Sequence, residues 1–296
     1  MKLTASQLEA YERDGFVVLP ELFSEEEVEH MKSELRRIQK IDTDHLVREK
    51  TGGIAKTIYK VHETESPTAS AVFHSAVRSP RLLQPAQQLI GDPELYVYHT
   101  KCNLKTAIDG SVWQWHQDFG TWHIDGVKEP QMTTALVMLD EPTEMGGCLY
   151  FIPGSHKLGS LDPTFDEATG YRFYVVPKPT MLDILSSHPK AVPIMGRPGT
   201  VVFFDANIVH SSGHNLSGDD RWQAYVVYNQ VKNKPEQVEQ PRPDYVRSTN
   251  FVPLEVGSDE ILDRVQIGWT CARAARRDAC TWRAAASHIN RVSLIS

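Results

Sequence analysis

From residue 95 onward, short apolar segments alternate with turns that contain glycine and proline. The segments are rich in β-branched and aromatic residues, which favour strands. They are Leu95–Lys101, Thr133–Leu139, Cys148–Pro153, Thr200–Phe204 and Arg221–Asn229. Regularly spaced short strands with such turns are typical of a sandwich or jelly roll. The sequence therefore predicts a mainly β fold for this part of the chain.

The first 90 or so residues carry helix signals instead. Thr4, followed three residues later by Gln7, predicts a capping box, and Ser24 precedes a run of acidic residues. Gly91 is suited to ending a helix. Helices are predicted over residues 4–14, 24–39 and 80–89, with a short strand over residues 15–20.

Charge and composition exclude several classes of protein. The net charge of -7 argues against nucleic acid as the main partner. The four cysteines form no CxxC motif, which excludes zinc ribbons and thioredoxin-like redox sites. No run of about 18 apolar residues predicts a membrane span, and the first residues do not resemble a signal peptide. A cytoplasmic protein is expected, and the sequence leaves its oligomeric state open, including a homo-oligomer.

A histidine and an aspartate stand one residue apart in the aromatic stretch WQWHQDFG. On a strand, His116 and Asp118 would point to the same face. His210, shortly after the apolar run at residues 201–204, is the candidate for a third ligand. Two imidazoles and one carboxylate with open coordination positions suit ferrous iron, although zinc and manganese remain alternatives.

Arg221 follows His210 by eleven residues and opens a predicted strand. A guanidinium group can bind a carboxylate through two parallel hydrogen bonds. A carboxylate that leaves water needs such a charged partner. Arg221 is therefore a candidate for binding a carboxylate.

The order of His116, Asp118, His210 and Arg221 resembles the phytanoyl-CoA dioxygenase family of iron(II)/2-oxoglutarate oxygenases. The opening DGFVVLPELFSEEEV is similar to the N-terminal part of the same family, and the resemblance covers roughly residues 5–235. The stretch WHQDFGTWHIDG looks most like the ectoine-hydroxylase-like members.

This resemblance implies a double-stranded β-helix (jelly roll, cupin-like) with its core over residues 95–232 and helices on one outer face. It also implies Fe(II) as the metal, 2-oxoglutarate as cosubstrate and O2 as oxidant. In the family, an arginine at the place of Arg221 binds the far carboxylate of 2-oxoglutarate. Halogenating relatives carry alanine or glycine where this chain has Asp118, so hydroxylation is expected rather than chlorination.

Three more residues are candidates for holding the cosubstrate. Lys105 lies on the strand before the HxD motif, in a segment similar to that of ectoine hydroxylases, where a lysine helps to hold 2-oxoglutarate. Asn103 shares its facing because strands alternate with period two. Thr134, on the next strand, could donate a hydroxyl hydrogen bond.

Trp122, His99 and Gln114 are the candidates for contacting the substrate. In the resembling members, the tryptophan after the HxD motif lines the substrate pocket, where it could stack on a small cyclic or cationic compound. Trp122 could equally be a core residue at the mouth of the barrel. His99 stands where ectoine hydroxylases carry a substrate-binding glutamine, which weakens ectoine as the substrate.

Two polar segments are expected to determine specificity, residues 41–70 and 157–190. The second is long enough to form a lid over a closed pocket. Within the first, Lys56, Tyr59, Lys60 and His62 could face the substrate, but as isolated polar residues they are expected to be solvated surface residues. Of the remaining histidines, His156 is interpreted as structural, and the spacing of His214 to Arg221 does not fit a ligand.

Residues 1–265 are predicted to form one oxygenase domain. A short helix from Ser258 to Val265 would close it. Residues 266–296 are basic where the rest is acidic, and they are expected to lie outside the catalytic barrel.

The resulting hypothesis is a dioxygenase that hydroxylates a small polar metabolite in a biosynthetic pathway and releases succinate and CO2. An amino acid derivative or an alkaloid-like compound is the expected substrate. The alternative is a non-catalytic cupin-type protein that binds a metal or a small molecule, which would leave Arg221 without a role.

Overall fold

Two antiparallel sheets form the framework of the computed structural model, which describes residues 1–49, 53–110, 112–166 and 173–260. The strands are β1 (Phe16–Leu19), β2 (Leu46–Arg48), β3 (Ala55–Tyr59), β4 (Leu95–Lys105), β5 (Trp113–His116), β6 (Thr133–Met138), β7 (Leu149–Phe151), β8 (Thr164–Asp166), β9 (Phe173–Val175), β10 (Val192–Ile194), β11 (Val201–Asp205), β12 (His210–Ser212) and β13 (Arg221–Gln230). The helices are α1 (Ala5–Asp14), α2 (Glu25–Ile38), α3 (Ala71–Ala76), α4 (Leu83–Ile90), α5 (Asp118–Ile124) and α6 (Lys178–Ser187). Two 3₁₀ turns, Ser155–Leu158 and Val231–Asn233, complete these elements.

The larger sheet has the strand order β1-β11-β6-β13-β4-β3-β2, and the smaller has the order β10-β7-β12-β5. Strands β8 and β9 form a separate hairpin. All of these strand pairs are antiparallel. Such a pair of sheets, each with strands drawn from distant parts of the chain, is the predicted jelly roll.

A buried apolar cluster joins the inner faces of the two sheets. Leu136, Phe204 and Tyr225 come from the larger sheet, and Phe151 and Ile194 come from the smaller one. The rings of Phe151 and Phe204 lie 5.1 Å apart between centroids. Residues of opposite sheets that share one core hold the sheets face to face, because separating them would expose this apolar surface to water.

The N-terminal elements match the sequence prediction. The Thr4 side chain accepts a hydrogen bond from the Gln7 amide, the Gln7 side chain accepts one from the Thr4 amide, and Gly15 ends α1 with a φ of 84°. Strand β1 then pairs with β11 at the edge of the larger sheet. The capping residues therefore set where α1 begins and where the chain enters the sheet.

The third predicted helix begins later than expected. Instead of residues 80–89, α4 spans Leu83–Ile90 and ends at Gly91, whose φ is 74°. The preceding helix α3, which Ser70 caps, was not predicted. It has only six residues, too few for a clear helical period.

The expectation of solvated surface residues between positions 41 and 70 is wrong. Lys56 and Tyr59 lie on β3, and they are buried, as are Lys60 and His62. Strand β3 lies between β2 and β4 in the larger sheet, and all five of its residues are buried. From the sequence alone, polar and charged residues on a buried strand resemble a solvent-exposed segment, because the sequence does not show which strands pack around it.

Residues 157–190 are not a single irregular loop. They contain the β8–β9 hairpin and α6. Of the helix predicted over Ser258–Val265, residues 258–260 are not helical, and residues 261–265 lie outside the described part of the chain, as does the tail 266–296. Among the described helices, none is long and apolar enough to cross a membrane.

Candidate active site

The three predicted metal ligands meet at one point. One ligand atom from each of His116, Asp118 and His210 lies within 4.8 Å of the other two, and all three residues are buried. His210 on β12 stands opposite His116 on β5 in the strand register. The expectation that Asp118 shares a strand with His116 is wrong, because β5 ends at His116 and Asp118 opens α5.

Backbone carbonyl groups fix which nitrogen of each imidazole faces the metal position. His116 Nδ1 lies 2.6 Å from the carbonyl oxygen of Gln114, and His210 Nδ1 lies 3.0 Å from that of Ile208. A carbonyl oxygen can only accept a hydrogen bond, so Nδ1 carries the proton in both rings. The lone pair of each Nε2 is then available to a metal ion.

The same burial sets the protonation states that a metal needs. Burial, aided by His210, lowers the pKa of His116 to about 3, and burial also lowers the pKa of His210. For Asp118, burial raises the pKa, but Lys101 and the two imidazoles outweigh it and bring the pKa to about 2. At neutral pH the site offers two neutral imidazoles and one carboxylate, the donor set that ferrous iron binds in facial triads.

Arg221 is buried at the start of β13 and has donor capacity left over. Its Nη2 donates to the carbonyl oxygen of Gly147 at 2.9 Å, and its Nη1 donates to Gln223 Oε1. Arg221 Nε, Gln223 Nε2 and Thr134 Oγ1 are buried without a hydrogen-bond partner. Buried polar atoms without partners are uncommon in proteins, and a bound carboxylate would satisfy the two N–H groups on β13.

Lys105 faces Arg221 across the β4–β13 pair. Its ammonium donates to Ser212 Oγ at 2.9 Å and to the carbonyl oxygen of Gly213. Burial and the neighbouring Arg221 lower the pKa of Lys105 well below its ordinary value. Two adjacent buried cations favour an anionic ligand between them, since its charge would relieve their repulsion.

Asn103 occupies the next inward position on β4, opposite Gln223. Its Oδ1 accepts a hydrogen bond from Thr57 Oγ1 at 3.0 Å. Lys105, Asn103 and Arg221 are thus brought together as the sequence predicted, whereas Thr134 lies farther along the sheet, in register with Val227.

A cavity of about 580 Å³ opens above the metal-binding residues. His116 and Asp118 line it, together with Trp122 and His99. Phe165 on β8 and Tyr174 on β9 also line it, so part of the predicted lid reaches the cavity. Its size and aromatic lining suit a small molecule rather than a polymer.

His99 presents an unsatisfied imidazole to this cavity. Both ring nitrogens are buried without a partner, and burial lowers the pKa of His99 well below its ordinary value. Its ring centroid lies 5.8 Å from that of Trp122 and 5.5 Å from that of Tyr98. A neutral imidazole offers one donor and one acceptor, and a ligand in the cavity could use both.

Lys101 is a cavity residue that the sequence reasoning missed. Its Nζ lies 3.9 Å from Asp118 Oδ1, and 5.4 Å and 5.1 Å from the ring centroids of Trp113 and Tyr225. The signal was available, because Lys101 shares the period-two facing of His99 and Asn103 on β4.

The segment 240–246 also lines the cavity, through Gln240, Pro241, Arg242, Pro243, Tyr245 and Val246. The composition of this segment carries no signal for an active-site role.

Comparison with known proteins decides the family. The sequence profile described as phytanoyl-CoA dioxygenase (PhyH) matches residues 11–222. Ectoine dioxygenase of Bordetella bronchiseptica is 32% identical over 258 residues, 82% of this chain and 82% of that protein. L-proline trans-4-hydroxylase of Streptomyces griseoviridis is 31% identical over 269 residues, 86% of this chain and 97% of that protein.

The chain belongs to the phytanoyl-CoA dioxygenase family.

The fold comparison agrees with this assignment. The crystal structure of EctD from S. alaskensis with 2-oxoglutarate and 5-hydroxyectoine matches with a TM-score of 0.74 and 30% identity, over 86% of this chain and 88% of that one. The present chain is therefore a non-haem iron(II)/2-oxoglutarate-dependent dioxygenase that acts on a small metabolite. The alternative of a non-catalytic cupin-type binding protein receives no support from these relatives.

The site has one group of residues that fits the metal of the family and another that fits its cosubstrate. His116, Asp118 and His210 supply the donor set for iron(II). The unpartnered donors of Arg221 and Gln223 suit the far carboxylate of 2-oxoglutarate. O2 is the remaining reactant of a dioxygenase.

The side chains of Gln114, His156 and His214 lie away from the metal position. The Gln114 side chain is exposed and borders a different cavity from the one that His116 and Asp118 line. Its carbonyl oxygen serves the site as the acceptor for His116. His156 Nε2 lies 3.2 Å from the carbonyl oxygen of Glu12, and His214 Nδ1 lies 2.8 Å from that of Gly110. Neither histidine belongs to the metal-binding group.

Proposed function

We propose that this dioxygenase hydroxylates a small cyclic metabolite that carries a carboxylate, of the type of L-proline or ectoine. The observation that carries the proposal is Lys101, whose ammonium lies at the floor of the cavity beside Asp118 and between aromatic rings. The Lys101 side chain is 13% exposed, and an ammonium so shielded from water favours a ligand carboxylate. The proteins named ectoine dioxygenase and L-proline trans-4-hydroxylase support this class, since both named substrates are small rings with a carboxylate.

Each group of residues has a separate task in the proposal. His116, Asp118 and His210 hold the iron. Arg221 and Lys105 bind the far carboxylate of 2-oxoglutarate, and Asn103 completes the polar lining of that side. Thr134 is not included, because it lies in register with Val227, farther along the sheet. Iron with bound 2-oxoglutarate supplies the oxidising power, by which one oxygen atom of O2 enters the substrate and the other leaves in succinate, with release of CO2.

The substrate side is formed by His99, Lys101 and Trp122. Lys101 pairs with the substrate carboxylate, and His99 donates or accepts one hydrogen bond in its neutral form. Trp122 is almost fully buried at the cavity wall, where its flat face orients an aliphatic ring. Fixing the substrate from two sides selects which carbon faces the iron.

The compartment is proposed to be the cytoplasm. Cys102 and Cys148 are buried free thiols, as is usual in a reducing compartment.

An anaerobic titration with iron(II) followed by 2-oxoglutarate tests the cofactor assignment. The weak visible charge-transfer band of the iron–2-oxoglutarate chelate should form in the wild-type protein and be lost in His116→Ala. Gln114→Ala is the matched control, because only the backbone of Gln114 serves the site. Iron binding without a band on addition of 2-oxoglutarate would refute the assignment of Arg221.

Succinate release with L-proline and with ectoine then tests the substrate class. Stimulation by either compound above the rate without substrate supports it. Equal stimulation by ring compounds that lack the carboxylate would contradict it.

A further inference from the structure

A short segment beyond the part matched by the family profile forms the outer wall of the active-site cavity. The match ends at residue 222, whereas residues 240–246, here called the outer wall, contribute six cavity-lining side chains. Tyr245 packs beside Tyr59, with 6.2 Å between ring centroids. The shape of the cavity therefore depends on how this irregular segment is held.

One buried ion pair ties the outer wall to the element that carries Asp118. Asp125 directly follows α5 and is completely buried. Its carboxylate accepts hydrogen bonds from Arg242 Nε at 2.8 Å, from the Arg242 amide at 2.9 Å and from Tyr98 OH at 2.6 Å. Three donors on one carboxylate fix the backbone as well as the side chain of Arg242.

A second contact brings the chain before the outer wall against the same helix end. The Glu236 amide donates to the carbonyl oxygen of Gly126 at 2.9 Å. Gly126 has a φ of 99°, and a Cβ atom there would lie 2.3 Å from the carbonyl oxygen of Glu236. Only glycine allows this approach.

On its other side, the outer wall continues into chain that is also fixed. Arg247 Nε donates to the carbonyl oxygen of Arg242 at 2.9 Å, and the Ser248 amide donates to that of Tyr98 at 2.6 Å. The wall is thus anchored at the helix end and on β4, both of which carry cavity residues.

We propose that Arg242 is a positioning residue that, through Asp125, fixes the outer wall and so determines which substrates the cavity accepts. The inference rests on the proposed function, whose substrate cavity it completes. Gln240 and Tyr245 are then the side chains of the wall that select the substrate, and they lie on a segment that the metal centre does not need.

Three variants test this. Arg242→Met removes the guanidinium but leaves the buried Asp125 carboxylate without its charge partner, which can prevent folding. Asp125→Asn with Arg242→Met removes both charges and avoids that problem. Arg81→Met is the matched control, because Arg81 forms a comparably buried ion pair with Glu27 that does not line the cavity.

Limited trypsin digestion reports the position of the wall without any substrate. Cleavage after Arg247 should be roughly tenfold faster in the double variant than in wild type, and unchanged in Arg81→Met, since local opening is governed by the lost anchors. The charge-transfer band with iron(II) and 2-oxoglutarate should persist in all three.

Kinetics test the selectivity. The substrate is L-proline or ectoine, whichever the wild type hydroxylates. Its KM should rise roughly tenfold in the double variant, while kcat should change less than about threefold. In Arg242→Lys, the KM should lie between the values of the wild type and the double variant. If neither compound is hydroxylated, succinate release without substrate should change at least about threefold in the double variant only.

Unchanged cleavage in the double variant, or equal changes in Arg81→Met, would overturn the role of Arg242. Loss of the band in the wild type would instead refute the proposed function, so the two failures are distinguishable.

Discussion

Burial and neighbouring charges set the protonation state of the individual residues in this site. His116 and His210 are held neutral with Nε2 available, while Lys101 helps to keep Asp118 ionised. Two of the cations proposed to bind a ligand then differ in position. Lys101 is beside the metal-binding carboxylate, and Arg221 lies beside Gln223 and Lys105. This separation makes their roles distinguishable.

Replacing each cation by methionine should affect a different ligand. Arg221→Met is expected to raise the KM for 2-oxoglutarate by roughly 30- to 150-fold, because a charge-assisted hydrogen bond contributes about 2–3 kcal/mol. Lys101→Met should raise the KM for the organic substrate by a similar factor. Steady-state succinate release with each compound varied in turn measures both constants. If the two variants raised the same KM, one of the assignments would be wrong.

Asp205 predicts a pH dependence of stability. Burial raises the pKa of Asp205 to about 6, above its value of about 3.9 in an unfolded chain. The stabilisation from holding that proton is present below pH 3.9 or so and is lost as the pH rises through about 6. Asp205→Asn should therefore increase the free energy of unfolding by about 1–2 kcal/mol near neutral pH and by almost nothing near about pH 3.5.

Urea unfolding at both pH values measures this difference. The amide oxygen of the substituted side chain can still accept the hydrogen bond that Asp205 Oδ1 accepts from the Asn207 amide at 2.7 Å. The exposed Asp162→Asn serves as control and should change stability little at either pH. A gain that was equal at the two pH values would show that the carboxylate charge is not its cause.

Local sequence suffices to predict where the first helices begin, but it does not suffice to predict which strands are buried. Helix α1 begins at its predicted capping box, and α2 begins directly after Ser24, as its predicted range implies. The structure adds a second capping box, because Ser24 and Glu27 exchange hydrogen bonds at the start of α2. In contrast, β3 is buried although its sequence AKTIY contains a charged residue. Caps act within four residues, whereas burial of a strand depends on its neighbours in the sheet.

The capping box of α2 can be tested by one substitution. Ser24→Ala should lower the free energy of unfolding by about 1 kcal/mol, because the Glu27 amide loses its acceptor at 3.2 Å. Ser33→Ala, at an exposed position inside the same helix, should have no effect or stabilise slightly. Chemical denaturation of both variants gives the comparison. An equal loss in both would show that the hydroxyl of Ser24 does not cap the helix.

At the scale of the whole molecule, the described residues belong to one compact unit, Met1–Ile261. The active site draws on residues from Tyr59 to Val246, so it exists only when most of this unit is folded. The prediction that residues 266–296 take no part in catalysis can be tested directly by truncation.

A chain that ends after residue 265 should keep the charge-transfer band and retain activity within about twofold, because the metal-binding residues and the described residues that line the cavity all lie at or before Val246. The full-length chain is the reference. Loss of the band on truncation would place the tail within the catalytic domain.

The chemistry of this protein and its class of fold could be predicted from the amino-acid sequence. Ligand types and their order along the chain predicted the three metal-binding residues that the structure brings together. The spacing of His210 to Arg221 predicted a cosubstrate site, which stays a prediction. Strand-like segments with turns identified the jelly roll, and capping residues set the first two helices. These features are local or depend on residue identity, so they can be interpreted without knowing distant neighbours.

The residues that surround the substrate, in contrast, are known only from the folded arrangement. Residues 240–246 line the cavity because Arg242 reaches the buried Asp125 more than a hundred residues away in sequence. Gln114 faces outward although it stands in the motif, and Lys56 lies in the interior. The physical reason is that burial and pairing arise between distant segments, and neither leaves a periodic signal in the segment concerned.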